Sequence, residues 1–224
     1  MERVSHMVRS YRGILLLVAA LLPLSYFGFR ASYWAHFPTF LGVGWEVHFH
    51  LLSIACWLAM LVAQAWLAVK GRIEQHKRIG RLSYFLVPLI VVGYGLVTNY
   101  GQLRQKQPDL LGATLFDGLA FVAFYILAIA YRRNTAYHSR YMMLTVVPFI
   151  NPTLGRAIAP EVSTTAELLL IIVLMVAARV RKTAWQPYLV ALLILIALTL
   201  VIVYISVIEP GIIEGIWEAI WGQS

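Results

Sequence analysis

Residues 45–69 read WEVHFHLLSIACWLAMLVAQAWLAV, a run of 25 positions whose only Asp, Glu, Lys or Arg is Glu46, near its start. As a helix this run is about 37 Å long at 1.5 Å per residue, and a bilayer needs about 20 mostly apolar residues. It is therefore expected to cross a membrane. Working outward, six further stretches have the same character: Gly13 to Phe29, Leu82 to Tyr100, Thr114 to Tyr131, Tyr141 to Ile158, Thr164 to Val180 and Tyr188 to Ile208. The expected fold class is all-α, a polytopic bundle of about seven spans forming a single membrane domain over residues 1–224. The fifth and sixth stretches have the weakest span character, since Asn151-Pro152 interrupts one and only Ala159-Pro160-Glu161 separates the two. A re-entrant hairpin is the alternative there.

Composition agrees. The chain is 61% hydrophobic and 12% charged, where a soluble domain has roughly 45–50% apolar and about 25% charged residues. A soluble domain, a disordered tail and a coiled coil are excluded. The net charge of +8 comes from scarcity of acids (10) as much as from abundance of bases (18), so no nucleic-acid partner is expected. A single cysteine, Cys56, excludes a disulfide framework and a thiolate metal site.

The basic residues set the expected orientation. With the N-terminus inside, 14 of the 18 bases fall on the inner side, and the outer side keeps Arg30, Arg104, Lys106 and Arg156. An odd number of spans preserves that alternation and puts the C-terminus outside. The first span follows Arg3, Arg9 and Arg12, but bulky Tyr33, Trp34 and Phe37 follow it, so it reads as an uncleaved anchor. The tail, about 209–222, carries Glu209, Glu214 and Glu218 between isoleucines and tryptophans, as expected of an amphipathic helix at the outer interface.

Two hairpins resemble each other over about residues 45–157. Lys70-Gly71-Arg72 leads to His76-Lys77-Arg78 and then Val87-Pro88-Leu89-Ile90; Arg132-Arg133 leads to His138-Ser139-Arg140 and then Val147-Pro148-Phe149-Ile150. His76 and His138 thus occupy equivalent inner positions, with Arg78, Arg81 and Arg140 beside them. They are expected to hold a metal or haem, or to face an anion, and the arginines to meet phosphate or lipid headgroups. Contact of the whole basic rim with headgroups alone is the plainer alternative.

Ionisable residues inside spans cost roughly 2.5–3.5 kcal/mol at mid-helix and point to function. Glu46, His48, His50, Asp117, Asn151, Arg156 and Glu167 share one depth near the outer side. Glu46 and His50 are about 40° apart around a helix and can converge, whereas His48 points roughly 160° from His50. Glu46, His50 and Asp117, or His48 with a neighbouring helix, would offer mixed nitrogen and oxygen ligands suited to zinc, iron or copper(II). Solvated interfacial groups, or a proton or ion path, are the alternatives. Histidines near both faces of one helix need about 14 residues between them, roughly 21 Å. Only His36 and His50 have that spacing, and Pro38, Gly42 and Gly44 interrupt it. A two-haem arrangement on one helix is absent, leaving one haem between His76 and His138 or one on the outer side. The last span has no lysine for a retinal Schiff base and no H-x-x-x-H, and no GxSxG, HExxH or P-loop occurs. Pro88, Pro148, Pro152 and Gly93-Tyr94-Gly95 keep a transporter in view.

The motifs His48-Phe49-His50, Gln64-Ala65-Trp66-Leu67, His76-Lys77-Arg78-Ile79-Gly80-Arg81, His138-Ser139-Arg140-Tyr141-Met142 and Pro152-Thr153-Leu154-Gly155-Arg156 carry a resemblance. From Trp45 to Ala157 the chain resembles an uncharacterised family of bacterial multi-pass membrane proteins with H-R-x-x-G-R and H-x-x-x-M turns. Lys77 stands where that family has arginine. The resemblance implies a bacterial inner-membrane location and weight on His50, His76, Arg78, His138 and Arg156; it implies no reaction. Two functions are expected from the sequence: a metal- or haem-binding, redox-linked membrane protein, or a transporter or sensor with an outward acidic-histidine pocket for a small cation or solute. A structural or assembly role, as a homo-oligomer or beside another membrane protein, is the third.

Overall fold

A computed structural model describes residues 2–105 and 110–221, and these contain helices and turns with no strand among them. The α-helices are α1 (Glu2–Gly28), α2 (Trp45–Val69), α3 (Ile73–Gly80), α4 (Ser83–Gln105), α5 (Leu110–Ala130), α6 (Thr135–Leu144), α7 (Ile150–Ala157), α8 (Pro160–Val180), α9 (Gln186–Val203) and α10 (Pro210–Trp221). Five segments are long and apolar enough to cross a membrane: Trp45–Val69, Ile73–Tyr100, Leu111–Ala130, Val162–Val180 and Gln186–Val203. The second of these joins α3 and α4 through the turn at Arg81-Leu82.

The other two expected spans take a different form. The apolar part of α1 is the shorter run Gly13–Gly28. The stretch Tyr141 to Ile158 is broken into α6, a 3₁₀ turn at Val147–Phe149 and α7. Proline explains the break: Pro148 and Pro152 each lack an N–H, so the carbonyls of Leu144 and Pro148 lose their helical partners in succession. The backbone shifts to three-residue bonds instead, Val146 N to Met143 O at 3.1 Å and Phe149 N to Val146 O at 3.1 Å. Thr145 Oγ1 turns back to Met142 O (2.7 Å) and accepts from Trp57 Nε1 of α2 (3.1 Å), which fixes the break against α2.

Packing is closest where side chains are smallest, as expected when lipid supplies no hydrophobic drive between helices. α2 lies along α4, and a Cβ on Gly93 would stand 3.2 Å from His50 Cα and 3.3 Å from Ser53 Oγ. α1 lies along α7, where a Cβ on Gly28 would run into the Thr153 carbonyl. Trp57 centres an aromatic cluster, with ring centroids 5.3 Å from Phe121 and 5.8 Å from Tyr125. Phe121 continues it to Phe149 in the 3₁₀ turn. Leu16, Phe85, Val173 and Leu193 point outward and form a surface fit for lipid. α10 follows a π turn at Tyr204–Ile208. The side chains of Ile213, Glu214, Trp217 and Ile220, which would define its amphipathic face, lie outside the described set, as do Lys106 and the side chain of Arg104.

Candidate functional site

Helix order puts two polar clusters at opposite ends of the bundle. At one end α2 and α5 finish and α3 and α6 begin. His76 is the fourth residue of α3 and His138 the fourth of α6. Their backbone N–H groups donate to the residue before each helix, Arg72 O at 3.0 Å and Asn134 O at 2.9 Å. Asn134 caps α6 by accepting from Ala136 and Tyr137 N–H. The side chains repeat the equivalence. His76 Nδ1 lies 3.1 Å from Gln64 O of α2, and His138 Nδ1 lies 2.8 Å from Ala128 O of α5.

The Ala128 carbonyl is free for this because Arg132 N turns to Ile129 O, leaving a C-terminal carbonyl without its helical donor. A carbonyl only accepts, so Nδ1 is the donor in both contacts. This is the tautomer in which histidine binds metals, with a backbone carbonyl as the supporting acceptor. The two rings meet edge to face at a centroid distance of 6.2 Å and an interplanar angle of 82°. Both are half-buried. Burial lowers the His138 pKa, the carbonyl bond opposes that, and neighbouring His76 lowers it further, so the ring is held neutral. Gln64 adds a buried amide Nε2 with no hydrogen-bond partner among the described residues.

The three arginines beside the pair divide in role. Arg78 and Arg81 are exposed and, with Glu74, Gln75 and Lys77, line a surface pocket of about 380 Å³. Arg140 is buried, donates from Nη1 to Ala136 O at 2.6 Å and hydrogen-bonds Tyr188 of α9. It ties α6 to α9, and burial leaves it little reach toward a headgroup.

The other cluster gathers where α2 and α5 begin and α7 ends. Asp117 of α5 accepts from Asn151 Nδ2 of α7 at 3.0 Å, and Asn151 Oδ1 accepts from Ser163 Oγ of α8. Glu167, one turn beyond Ser163, is 0% exposed, and neither carboxyl oxygen has a partner among the described residues. Asp117 and Glu167 are electrostatic neighbours of each other and of Tyr94 on α4. The Tyr94 ring meets His50 at 4.9 Å. Arg156 interacts electrostatically with Asp117 and His50, lays its guanidinium over the Phe29 ring (4.9 Å) and donates to Pro152 O (3.1 Å).

Of the residues expected at this depth, His50, Asp117, Asn151, Arg156 and Glu167 are brought together. Glu46 sits one turn before His50 on α2, its Oε2 buried beside Gly44. His48 is turned away, as the helical angle required: its Nδ1 meets Tyr33 OH at 2.9 Å, and Phe40 closes the cage. Among the described residues no three of His, Cys, Asp and Glu are close enough to hold a metal ion. Tyr94, Ser163 and Gln64 were not singled out as site residues by sequence. Gly93-Tyr94-Gly95 was the signal for Tyr94, since a glycine beside an aromatic allows a neighbouring helix to come near, and the Gln64-Ala65-Trp66-Leu67 motif was the signal for Gln64. These features define an all-helical protein suited to a lipid environment, with polar groups collected at both ends of its bundle. Comparison with protein-family models, with curated proteins and with solved structures finds no match to this chain.

Proposed function

We propose that this protein binds haem, or one metal ion in its place, through His76 and His138, and that the bound group serves electron transfer. One observation supports the reading. Each histidine is anchored through Nδ1 to a carbonyl of the preceding helix, and the two rings stand 6.2 Å apart. Arg78 and Arg81 supply cations at the same end for the carboxylates of a haem. Such a group would supply one-electron transfer. His76 and His138 would hold it, Gln64 and Ala128 would orient them, and Tyr188 would keep Arg140 in place.

On this reading the chain crosses a bacterial inner membrane about seven times with its N-terminus inside. The histidine pair then lies at the cytoplasmic face among the basic turns. The test is an absorption spectrum and metal analysis of the purified protein, before and after haemin addition. The expected result is a low-spin Soret spectrum in the wild type, lost in both His76→Ala and His138→Ala. A protein that takes up neither haem nor stoichiometric metal overturns the proposal. A second reading, a transporter or sensor for a small cation, is favoured by the opposite cluster and its buried Glu167.

A further inference from the structure

Eight buried side-chain atoms have no hydrogen-bond partner among the described residues, and six of them belong to one end of the bundle: Glu46 Oε2, His50 Nδ1, Tyr94 OH, Asn99 Oδ1 and both oxygens of Glu167. Buried polar groups are ordinarily satisfied, and a cluster of exceptions marks a place where water or a ligand completes the bonding. These exceptions form a sequence in space. Glu46 and His50 lie one turn apart on α2, His50 packs against the Tyr94 ring at 4.9 Å, and Tyr94 is an electrostatic neighbour of Glu167. Tyr94 is 7% exposed and Glu167 0%.

The chemistry of the set narrows what completes it. Arg156 is matched with Asp117, which leaves the Glu167 carboxyl without a cationic partner among the described residues. No metal-holding group of three His, Cys, Asp or Glu exists among the described residues. Hydroxyl, imidazole and carboxyl groups in succession are what a proton moves along. We propose that Glu167 is a reversible proton-binding site and that Glu46, His50 and Tyr94 form the file through which protons reach it from the adjacent membrane face. In the uptake step a hydronium ion gives its proton to a Glu167 carboxylate oxygen and leaves as water; no other bond changes. Asp117 is the fixed counterpart, held by Asn151 and balanced by Arg156. Among the described residues, Asp117 from α5 and Tyr94 from α4 are the titratable neighbours of Glu167, and Arg156 from α7 reaches it only through Asp117. The ionisable residue of α9, Tyr188, lies at the far end, bonded to Arg140.

The inference is independent of any cofactor on His76 and His138. Its test is infrared difference spectroscopy of the full chain in lipid nanodiscs across a pH titration, with deuterium exchange. The expected result is a carboxylic-acid carbonyl stretch that titrates, exchanges with deuterium, disappears in Glu167→Gln and exchanges at least tenfold more slowly in Tyr94→Phe. Glu167→Gln keeps the shape of the side chain, and a monodisperse elution with unchanged helical circular dichroism establishes that it folds. A band unchanged in Glu167→Gln, or lost only in Asp117→Asn, overturns the proposal. So does a band that responds to sodium at constant pH, which would make the ligand a metal cation.

Discussion

His76 and His138 stand with their ring centroids 6.2 Å apart and their planes at 82°, each anchored through Nδ1 to a carbonyl of the helix before it. Neither anchor is a side chain, so no substitution at Gln64 or Ala128 removes the acceptor itself. Only movement of α2 or α5 changes the aim of the rings.

The neutral state of His138 gives a pH dependence. Its pKa is lowered from the ordinary value of 6.5 by burial and by His76, so the unfolded chain binds the proton more readily than the folded one. The stability this ring permits is complete above that ordinary value and is lost as pH falls toward the depressed one. Thermal unfolding in detergent is expected to shift down on acidification from neutral pH, and His138→Phe to flatten the dependence. A His138→Phe profile parallel to wild type would contradict this.

Gly28 sets the approach of α1 to α7. A Cβ there meets the Thr153 carbonyl, which is backbone and cannot rotate away. Gly28→Ala is expected to cost about 1–3 kcal/mol, the range for forcing atoms into a filled space. Chemical denaturation measures it, with Gly211→Ala as the control because open space surrounds that glycine.

The bond from Trp57 Nε1 to Thr145 Oγ1 (3.1 Å) ties α2 to the break between α6 and α7, and both residues are 0% exposed. Trp57→Phe removes the donor while keeping most of the ring. A double-mutant cycle with Thr145→Val is expected to give a coupling of about 0.5–1.5 kcal/mol. Additive effects would show the bond contributes nothing.

Orientation is testable by labelling. In a Cys56→Ser background, cysteines at Arg132 and Arg30 are expected to react with a membrane-impermeant reagent from opposite faces of sealed vesicles, Arg30→Cys from outside. Labelling of both from one face would break the seven-span arrangement.

Much of this architecture is legible in the sequence, for definite reasons. A run free of charge from Val47 to Val69 leaves α2 no other use, and the paired H-x-R turns place His76 and His138 at matching positions without knowledge of any contact. The break at Val147–Phe149 was harder to read. Val87-Pro88-Leu89-Ile90 and Val147-Pro148-Phe149-Ile150 look alike, yet α4 runs unbroken through Pro88. The second stretch has another proline four residues on, and the two missing donors fall on one side of the helix, where one alone is tolerated. Glu167 stood out as a charge within a span. That Tyr94 lies within electrostatic reach of it depends on the arrangement of the whole bundle across 73 residues of chain, which no local pattern encodes.

α2 carries both clusters. The His50 ring and the Gln64 carbonyl ride on one uninterrupted helix 14 residues apart, about 21 Å along its axis. Gly93 lets α4 press against the helix at His50, while His76 grips it at Gln64. The helix is thereby an axle clamped at two bearings. The two clusters are thereby referred to one rigid element, and the distance between them is set by the length of α2.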